Sequence, residues 1–225
     1  YHVYSILVST SWNKNDDVFD KGEVWASKDT PKYKPTNLEH DEKQIVGGII
    51  DNWAVDDSFD LIDEKSESKD LPDRYHILVS SVIYRQWQDP EYRDRVLDLI
   101  DKIEAGDKYV SMECVFSGFD YAVVAPDDTY HILSRNDETA FLTQHLRAYG
   151  GTGSYQNHQV GRLLRNITFS GKGFVDKPAN PDSIIFDKNK TFEFNKASIS
   201  CKSSLFNKNG VILKVDNPNI LNTQE

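Results

Sequence analysis

The fold class is indicated first by residues 44–55, which read QIVGGIIDNWAV. Five of these residues are β-branched: Ile45, Val46, Ile49, Ile50 and Val55. Such side chains favour strands over helices because they are stiff at χ1 and pack well on a pleated surface. We therefore predict a strand here, and it leaves His40 close to its start.

Further strand-like runs lie on both sides of this stretch. Apolar runs bounded by Asn, Asp, Gly or Pro are typical of strands. We predict strand character at residues 3–9, 22–27, 75–84, 108–124, 129–133 and 167–175. The turn residues Pro126-Asp127-Asp128 lie between two of these runs, so they predict a β-hairpin.

Two helices are also predicted. The first opens at Asp89-Pro90-Glu91, which supplies a cap residue, a proline at the first position and an acid in the first turn, and it ends at Gly106. Its apolar residues recur at helical spacing: Tyr92, Val96, Leu99, Ile100 and Ile103. A second helix is expected between residues 136–138 and 150–151, with Phe141, Leu142 and Leu146 on one face.

Together these elements predict an α+β fold dominated by β-structure, in which a small barrel-like antiparallel sheet carries peripheral helices. A chain of 225 residues with 38% hydrophobic content is long enough for one sizeable core. We expect one domain over residues 1–186 and a polar extension, rich in Lys, Asn and Ser, over residues 187–225. The acidic residues 56–73 are interpreted as a solvated, mobile connector.

Bulk composition excludes several classes of function. A net charge of −10 and a pI near 5.1 argue against a nucleic-acid partner, since phosphate binding needs clustered Lys and Arg. Cys114 and Cys201 have no zinc-site spacing, so we expect neither a metal nor another cofactor, nor a disulfide framework. No apolar run approaches the roughly 20 residues that span a bilayer, so we expect a soluble, intracellular protein without a membrane partner.

His40 and Ser111 are the candidate catalytic residues. Ser111 lies inside the strand-like segment YVSMEC at residues 109–114, and His40 lies just before the β-rich stretch. A serine hydroxyl is a weak nucleophile until a base within hydrogen-bond reach takes its proton, and histidine is the usual base near neutral pH. The pair suggests nucleophilic catalysis, although no Gly-x-Ser-x-Gly elbow surrounds Ser111.

These segments, together with GFVDKPANP at residues 173–181, resemble the prohead (head maturation) serine proteases of tailed phages, the T4-like ones in particular. That family shares the herpesvirus assemblin type of fold, and its histidine precedes its serine. The family histidine lies in a Leu/Glu-x-His-Asp stretch before a glycine-containing strand, as residues 38–47 do here. The serine strand is of the Leu-Ser-Ile-Gly-Phe kind, from which this chain departs because Glu113 stands in place of the glycine. The resemblance covers about residues 1–186.

The third catalytic residue is open between several candidates. Side chains two apart on a strand share a face, so Glu113 would lie about 7 Å from Ser111 and could orient His40. The assemblin resemblance implies instead a second histidine after the serine. His131 on the return strand of the hairpin is the best match, with His145 behind it, although the hairpin would place His131 opposite roughly residue 123. Asp41 is a further option.

An oxyanion hole needs preorganised donors aimed at the developing negative charge. The resemblance implies an arginine-containing segment ahead of the Pro-Ala-Asn-Pro turn, and residues 161–165, GRLLR, lie there. Arg162 or Arg165 is therefore the candidate oxyanion residue. The alternative is that both arginines only pair with acidic side chains.

The resemblance implies a serine endopeptidase that cuts scaffold (core) and major capsid proteins, and itself, inside the assembling prohead in the host cytoplasm. T4-type enzymes favour cleavage after Glu in Leu/Ile-x-Glu sequences. Ile62-Asp63-Glu64 fits that pattern, so Glu64 is the candidate autocleavage site. Substrate would lie along an exposed sheet edge as an added strand, and the sequence leaves a homo-oligomer open.

Two alternatives belong to other functional classes. The chain could be a catalytically silent structural or scaffold-associated virion protein with the same fold. It could also be a small adaptor that binds a shell protein through its acidic surface and C-terminal tail. Only the presence of both His40 and Ser111 in the sequence favours an enzyme over these alternatives.

Overall fold

The computed structural model describes residues 1–187 and Phe192. Strands dominate it and helices are few, so the fold is α+β with prevailing β-structure, as the sequence predicts. The predicted C-terminal extension lies almost entirely outside the described residues, and so does Cys201.

Eleven strands and two α-helices are present in residues 1–187. The strands are β1 (His2–Ser9), β2 (Asp17–Val18), β3 (Pro35–Leu38), β4 (Asp41–Val55), β5 (His76–Ile83), β6 (Tyr109–Val115), β7 (Gly118–Val124), β8 (Tyr130–Leu133), β9 (Ser154–Tyr155), β10 (His158–Arg165) and β11 (Thr168–Val175). The α-helices are α1 (Lys21–Ser27) and α2 (Pro90–Ala105).

The strands form two sheets. Six of them make the larger sheet in the order β1-β5-β4-β3-β11-β6, and all neighbours are antiparallel except β3 and β11. The smaller sheet has the order β2-β10-β7-β8, with β9 paired to β10. Strands β6 and β7 follow each other in sequence but belong to different sheets, so the chain crosses between the sheets directly after the segment that carries Ser111.

The larger sheet curls into a half-barrel, which brings its edge strands β1 and β6 into contact. The segment after β11 lies across both edges. The Ile6 N–H donates to the Ile184 carbonyl at 2.9 Å. The Ser183 hydroxyl accepts from the Val110 N–H at 2.9 Å and donates to the Val110 carbonyl at 2.6 Å. Residues 183–186 thus tie β1 to the strand that carries Ser111.

The main apolar core lies between these elements. Helix α2 buries Val96, Leu99, Ile100 and Ile103, and the same core includes side chains from both sheets, such as Val110 and Leu164. Burying each of these side chains stabilises the fold by roughly 1.5–3 kcal/mol. The predicted ends of α2 are confirmed: the Asp89 carboxylate accepts from the Glu91 and Tyr92 N–H groups, and Gly106 stops the helix at φ 81°.

The prediction of a strand at residues 22–27 is wrong, because these residues form α1. The Asp20 carboxylate caps the helix by accepting from the Gly22 N–H at 2.9 Å and from the Glu23 N–H at 3.3 Å. An aspartate followed three residues later by a glutamate is close to the capping-box pattern, so the sequence carried a helix signal that apolar content obscured.

The predicted second helix is replaced by two short 3₁₀ helices, Ala140–His145 and Arg147–Tyr149. Leu146 between them is extended, with φ −72° and ψ 136°, so the helical path is interrupted. Gly151 then packs against the backbone of His145 so closely that no side chain would fit there. The chain reverses too tightly for a regular α-helix to continue.

The predicted hairpin is confirmed. Strands β7 and β8 pair antiparallel around residues 125–129, and Val123 lies opposite His131. Residues 56–75 between β4 and β5 are largely irregular, with a single 3₁₀ turn at Ser68–Asp70, in agreement with the predicted connector.

Candidate active site

His40 lies in the two-residue turn that joins β3 to β4. Leu38 pairs with Asp41, and both residues between them have positive φ, 50° for Glu39 and 62° for His40. A type I′ hairpin turn requires this backbone and normally places Asn or Gly there. A histidine in such a position has a conformational cost, which is characteristic of functional sites. The Glu39 N–H donates to the Phe174 carbonyl at 3.1 Å, so the turn is fixed against β11.

Two glycines of β11 leave room for the side chains of the site. Strands β6 and β11 are antiparallel, with Gly173 opposite Ser111 and Gly171 opposite Glu113. A Cβ at Gly173 would lie 3.1 Å from both the backbone N and the Nδ1 of His40. A Cβ at Gly171 would lie 2.7 Å from the Glu113 Oε2. Directly opposed residues share a face of the sheet, so His40 lies on the face to which Ser111 and Glu113 point.

His40 and Glu113 are in direct contact, with 2.8 Å between the His40 Nδ1 and the Glu113 Oε1. The Asn37 side-chain amide donates to the same oxygen at 2.6 Å. The hydrogen bond to Glu113 raises the pKa of His40, and the same bond lowers the pKa of Glu113. The carboxylate therefore favours the Nδ1–H tautomer of His40, which leaves Nε2 as the basic nitrogen.

Ser111 is partly buried and faces a cleft of about 360 Å³ that is also lined by His40, Glu113, Cys114 and Arg162. Within residues 1–187, the Ser111 hydroxyl makes no hydrogen bond to His40. His40 and Glu113 are thus joined, and Ser111 lies on the same face of the sheet without a hydrogen bond to His40. Apo sites often have such loose contacts between nucleophile and base.

The other proposed partners of His40 lie elsewhere. His131 is exposed on β8 in the smaller sheet, opposite Val123 as the sequence predicts, and it is not part of the cleft. His145 lies at the end of a 3₁₀ helix and contacts the Tyr155 ring. Asp41 accepts from Gln44 and from the Lys43 N–H. In the described part of the chain, Glu113 is the one of these four candidates that contacts His40.

Arg162 and Arg165 both pair with acids, as the alternative interpretation holds. Arg162 donates through Nε to the Asp17 Oδ1 at 2.6 Å, and Arg165 binds Asp120 and Glu23 at 2.9 and 3.1 Å. Burial raises the pKa of Asp17, although Arg162 opposes the shift. Of the two arginines, Arg162 lines the cleft and Arg165 does not.

Cys114 also lines the cleft, and burial raises the pKa of its thiol to about 11. A thiol with so high a pKa is protonated near neutrality and is a poor nucleophile. Cys114 is therefore a weaker candidate nucleophile than the serines of the cleft lining. Glu64, the candidate autocleavage residue, is exposed in the segment between β4 and β5.

Sequence reasoning missed Asn37 and the paired glycines Gly171 and Gly173. The glycines carried a usable signal. Two glycines two positions apart on a strand leave one face bare, which indicates that another group approaches closely there. Asn37 had no comparable signal, since its role follows from a contact between strands that are distant in sequence.

Within the described residues, no group of three or more His, Cys, Asp or Glu side chains is arranged to hold a metal ion. Nor does any helix of this part combine the length and apolar character needed to cross a bilayer.

Comparisons of the chain with protein-family models, curated proteins and solved structures find no match. The assignment of roles therefore depends on the geometry and chemistry of the cleft.

Proposed function

We propose that this protein is a serine endopeptidase in which Ser111 is the nucleophile, His40 the general base and Glu113 the acid that orients His40. One observation carries the proposal: the His40 Nδ1 bonds the Glu113 Oε1 at 2.8 Å, on the face of the sheet to which Ser111 points. A serine, a histidine and a carboxylate in this relation form the constellation used for acyl transfer on several unrelated folds.

In the proposed reaction, the His40 Nε2 takes the proton of the Ser111 hydroxyl as the oxygen attacks the scissile carbonyl carbon. His40 then gives that proton to the leaving amine, and an acyl group remains on Ser111. Water then attacks the acyl carbon while the same nitrogen takes its proton, and His40 returns that proton to the Ser111 oxygen as the acyl group leaves. Glu113 stabilises the imidazolium that forms in both steps, and the Asn37 amide keeps the carboxylate in place.

Arg162 is the proposed source of positive charge for the oxyanion. It is the arginine of the cleft lining, and its pairing with Asp17 limits the positions that its guanidinium can adopt. A fixed donor stabilises developing charge without reorganising during the reaction. Arg165 is less suited, because Asp120 and Glu23 already engage it away from the cleft.

The finer assignment rests on the resemblance to prohead proteases. It comprises an assemblin-type fold, cleavage after Glu in scaffold and major capsid proteins within the assembling prohead of the host cytoplasm, and self-cleavage. The exposure of Glu64 supports its assignment as an autocleavage site, since a protease must reach the backbone around it.

The second candidate function is a catalytically silent structural or scaffold-associated virion protein. The observation that favours it is the lack of a hydrogen bond between Ser111 and His40 in the described part of the chain. A purified active enzyme would cleave a test substrate, and a purified catalytically silent protein would leave it intact.

The test is incubation of the parent and a Ser111→Ala variant with a scaffold-like protein that carries Leu/Ile-x-Glu sites, followed by mass spectrometry of the fragments. We expect the parent to cut after Glu and the variant to leave the substrate intact. Ser134→Ala is the matched control, because Ser134 is exposed and lies outside the cleft. Equal cleavage by parent and Ser111→Ala would contradict the assignment of Ser111, and intact substrate with both would favour the silent alternative.

A further inference from the structure

A second serine, histidine and carboxylate are joined by hydrogen bonds at another place in the fold. Ser9, the last residue of β1, lies directly opposite His76, the first residue of β5. The Ser9 hydroxyl is 2.8 Å from the His76 Nδ1, and the His76 Nε2 is 2.9 Å from the Asp57 Oδ1. Both distances are those of well-formed hydrogen bonds.

With Asp57 ionised and His76 neutral, one arrangement of protons satisfies this chain. The carboxylate can only accept, so the His76 Nε2 carries a hydrogen and donates to Asp57. The His76 Nδ1 is then an acceptor, and Ser9 donates its hydroxyl hydrogen to it. Relative to the usual serine protease arrangement the two ring nitrogens are exchanged, and the chemistry is the same because either nitrogen of a neutral imidazole can be the base.

The surroundings keep the chain ordered. Ser9 is 2% exposed and His76 5% exposed, whereas the Asp57 side chain lies at the surface. Arg74 lies 3.6 Å from the Asp57 Oδ1 and also pairs with Asp182 at 2.6 Å. Arg74 thus places a positive charge beside the Asp57 carboxylate and holds it near the surface end of the chain.

Ser9 lines the same cleft as Ser111. The Asn180 side-chain amide donates to the Ser9 hydroxyl at 3.3 Å, and Asn180 lines the cleft as well. The Asp182 N–H donates to the Asn180 Oδ1 at 3.1 Å, which fixes the orientation of the amide. Ser9 therefore accepts from a fixed amide donor on the cleft side.

We propose that Ser9 is a second nucleophile of this cleft, activated by His76 and Asp57, and that it takes up acyl groups from ester substrates with short apolar acyl chains. The hydrogen-bonded chain supplies the activation. Val8, Phe19 and Leu164 are among the residues that line the cleft, and they are the basis for choosing an apolar acyl chain as the substrate class.

The proposed reaction requires only the ester and water. The Ser9 oxygen attacks the ester carbonyl, the His76 Nδ1 takes the hydroxyl proton, and Asp57 stabilises the imidazolium. When the C–O bond to the alcohol breaks, His76 returns the proton to the leaving oxygen, which gives the free alcohol and an ester on Ser9. Water then attacks the acyl carbon while His76 takes its proton, and His76 returns that proton to the Ser9 oxygen as the C–O bond to Ser9 breaks and the carboxylic acid leaves.

The test is reaction of the folded parent with an alkyl fluorophosphonate, followed by mapping of the modified peptide. In this reaction Ser9 would attack phosphorus and fluoride would leave. We expect a phosphonyl group on Ser9 in the parent and in Ser111→Ala, and none at residue 9 in Ser9→Ala. Asp57→Asn should slow the modification of Ser9 by about 10²-fold, since the base loses the charge that stabilises its protonated form.

Asp60→Asn is the matched control: it removes one charge from the same exposed segment, and Asp60 is not part of the hydrogen-bonded chain. It should leave the rate of modification of Ser9 unchanged, and circular dichroism would verify that each variant is folded. An unmodified Ser9 in the folded parent, or equal rates in the parent and Asp57→Asn, would overturn the proposal. Modification of Ser111 is read from a different peptide, so this outcome is independent of the proposed endopeptidase function.

Discussion

The two serines of the cleft are prepared in opposite ways. At Ser111 the base and carboxylate are joined and His40 is partly open to solvent, but the serine is not bonded to the base. At Ser9 all three groups are joined, and the serine and histidine are buried. Access to a long peptide favours the first site, and prior activation of the hydroxyl favours the second. A nucleophile needs both access to its substrate and a hydroxyl bonded to a base. Most sites meet both requirements with one serine, whereas here each serine meets one of them.

Of the substitutions considered, His40→Gln should produce the largest difference between the Ser111 site and the Ser9 site. Without the base at the first site, cleavage of a scaffold-like protein should fall at least about 10³-fold. Phosphonylation of Ser9 should remain at the parent rate, because its base is His76. Initial rates of fragment formation and of Ser9 modification measure the two effects. A parallel loss of both would show that the sites are not independent.

Replacing Glu113 by Gln tests the role of the carboxylate through the pH profile. In the proposed mechanism His40 acts as a base only when neutral, and Glu113 raises its pKa. We therefore expect the acidic limb of kcat/KM in the parent to lie above the ordinary histidine value near 6.5. Removing the negative charge should lower that pKa and move the limb to lower pH, while the maximal rate falls by about 10²-fold. An unshifted limb would contradict the pairing of Glu113 with His40.

Gly173→Ala should lower the activity that depends on Ser111 and His40 and leave the modification of Ser9 unchanged. The added Cβ would lie 3.1 Å from the His40 Nδ1, so the imidazole must shift, and small displacements of this kind cost up to about 10²-fold in rate. Gly118→Ala is the matched control, because a Cβ there meets no atom within 4 Å. Steady-state kinetics of both variants measure the difference. Equal kcat values would mean that the position of His40 over Gly173 is not critical.

The smallest effect concerns stability. Ser9→Ala leaves the buried His76 Nδ1 without its partner, so the free energy of unfolding should fall by about 1–3 kcal/mol. Ser111→Ala removes a hydroxyl that has no such bond and should change stability by less than about 0.5 kcal/mol. Urea denaturation of the parent and both variants measures the two values. A greater loss for Ser111→Ala would reverse the contrast drawn between the sites.

Local patterns predicted much of the fold and one part of the site. Residues 44–55, helix α2 and the hairpin of β7 and β8 were predictable because strand composition, capping residues and turn residues act over a few positions. The placement of Glu113 on the face of Ser111 followed from the two-residue period of a strand. Helix α1 was missed because its apolar content obscured the Asp20 cap.

The arrangement of Ser9 with His76 and Asp57 could not be predicted from the sequence. Ser9, Asp57 and His76 meet only because β1 pairs with β5 and the intervening segment folds back on the first residue of β5. The same reason hid Asn37, which reaches Glu113 across the sheet. Contacts of this kind depend on which strands become neighbours, and local composition does not determine that order.

The most direct test of the central claim is to trap the acyl group. The parent would be mixed with a peptide p-nitrophenyl ester of the form Leu-Ala-Glu, quenched in acid within the first turnover and mapped by mass spectrometry. If Ser111 is the nucleophile that the His40 and Glu113 pair activates, the acyl group will be on Ser111 in the parent and absent from that residue in His40→Gln. An acyl group found only on Ser9, or on neither serine, would contradict the claim.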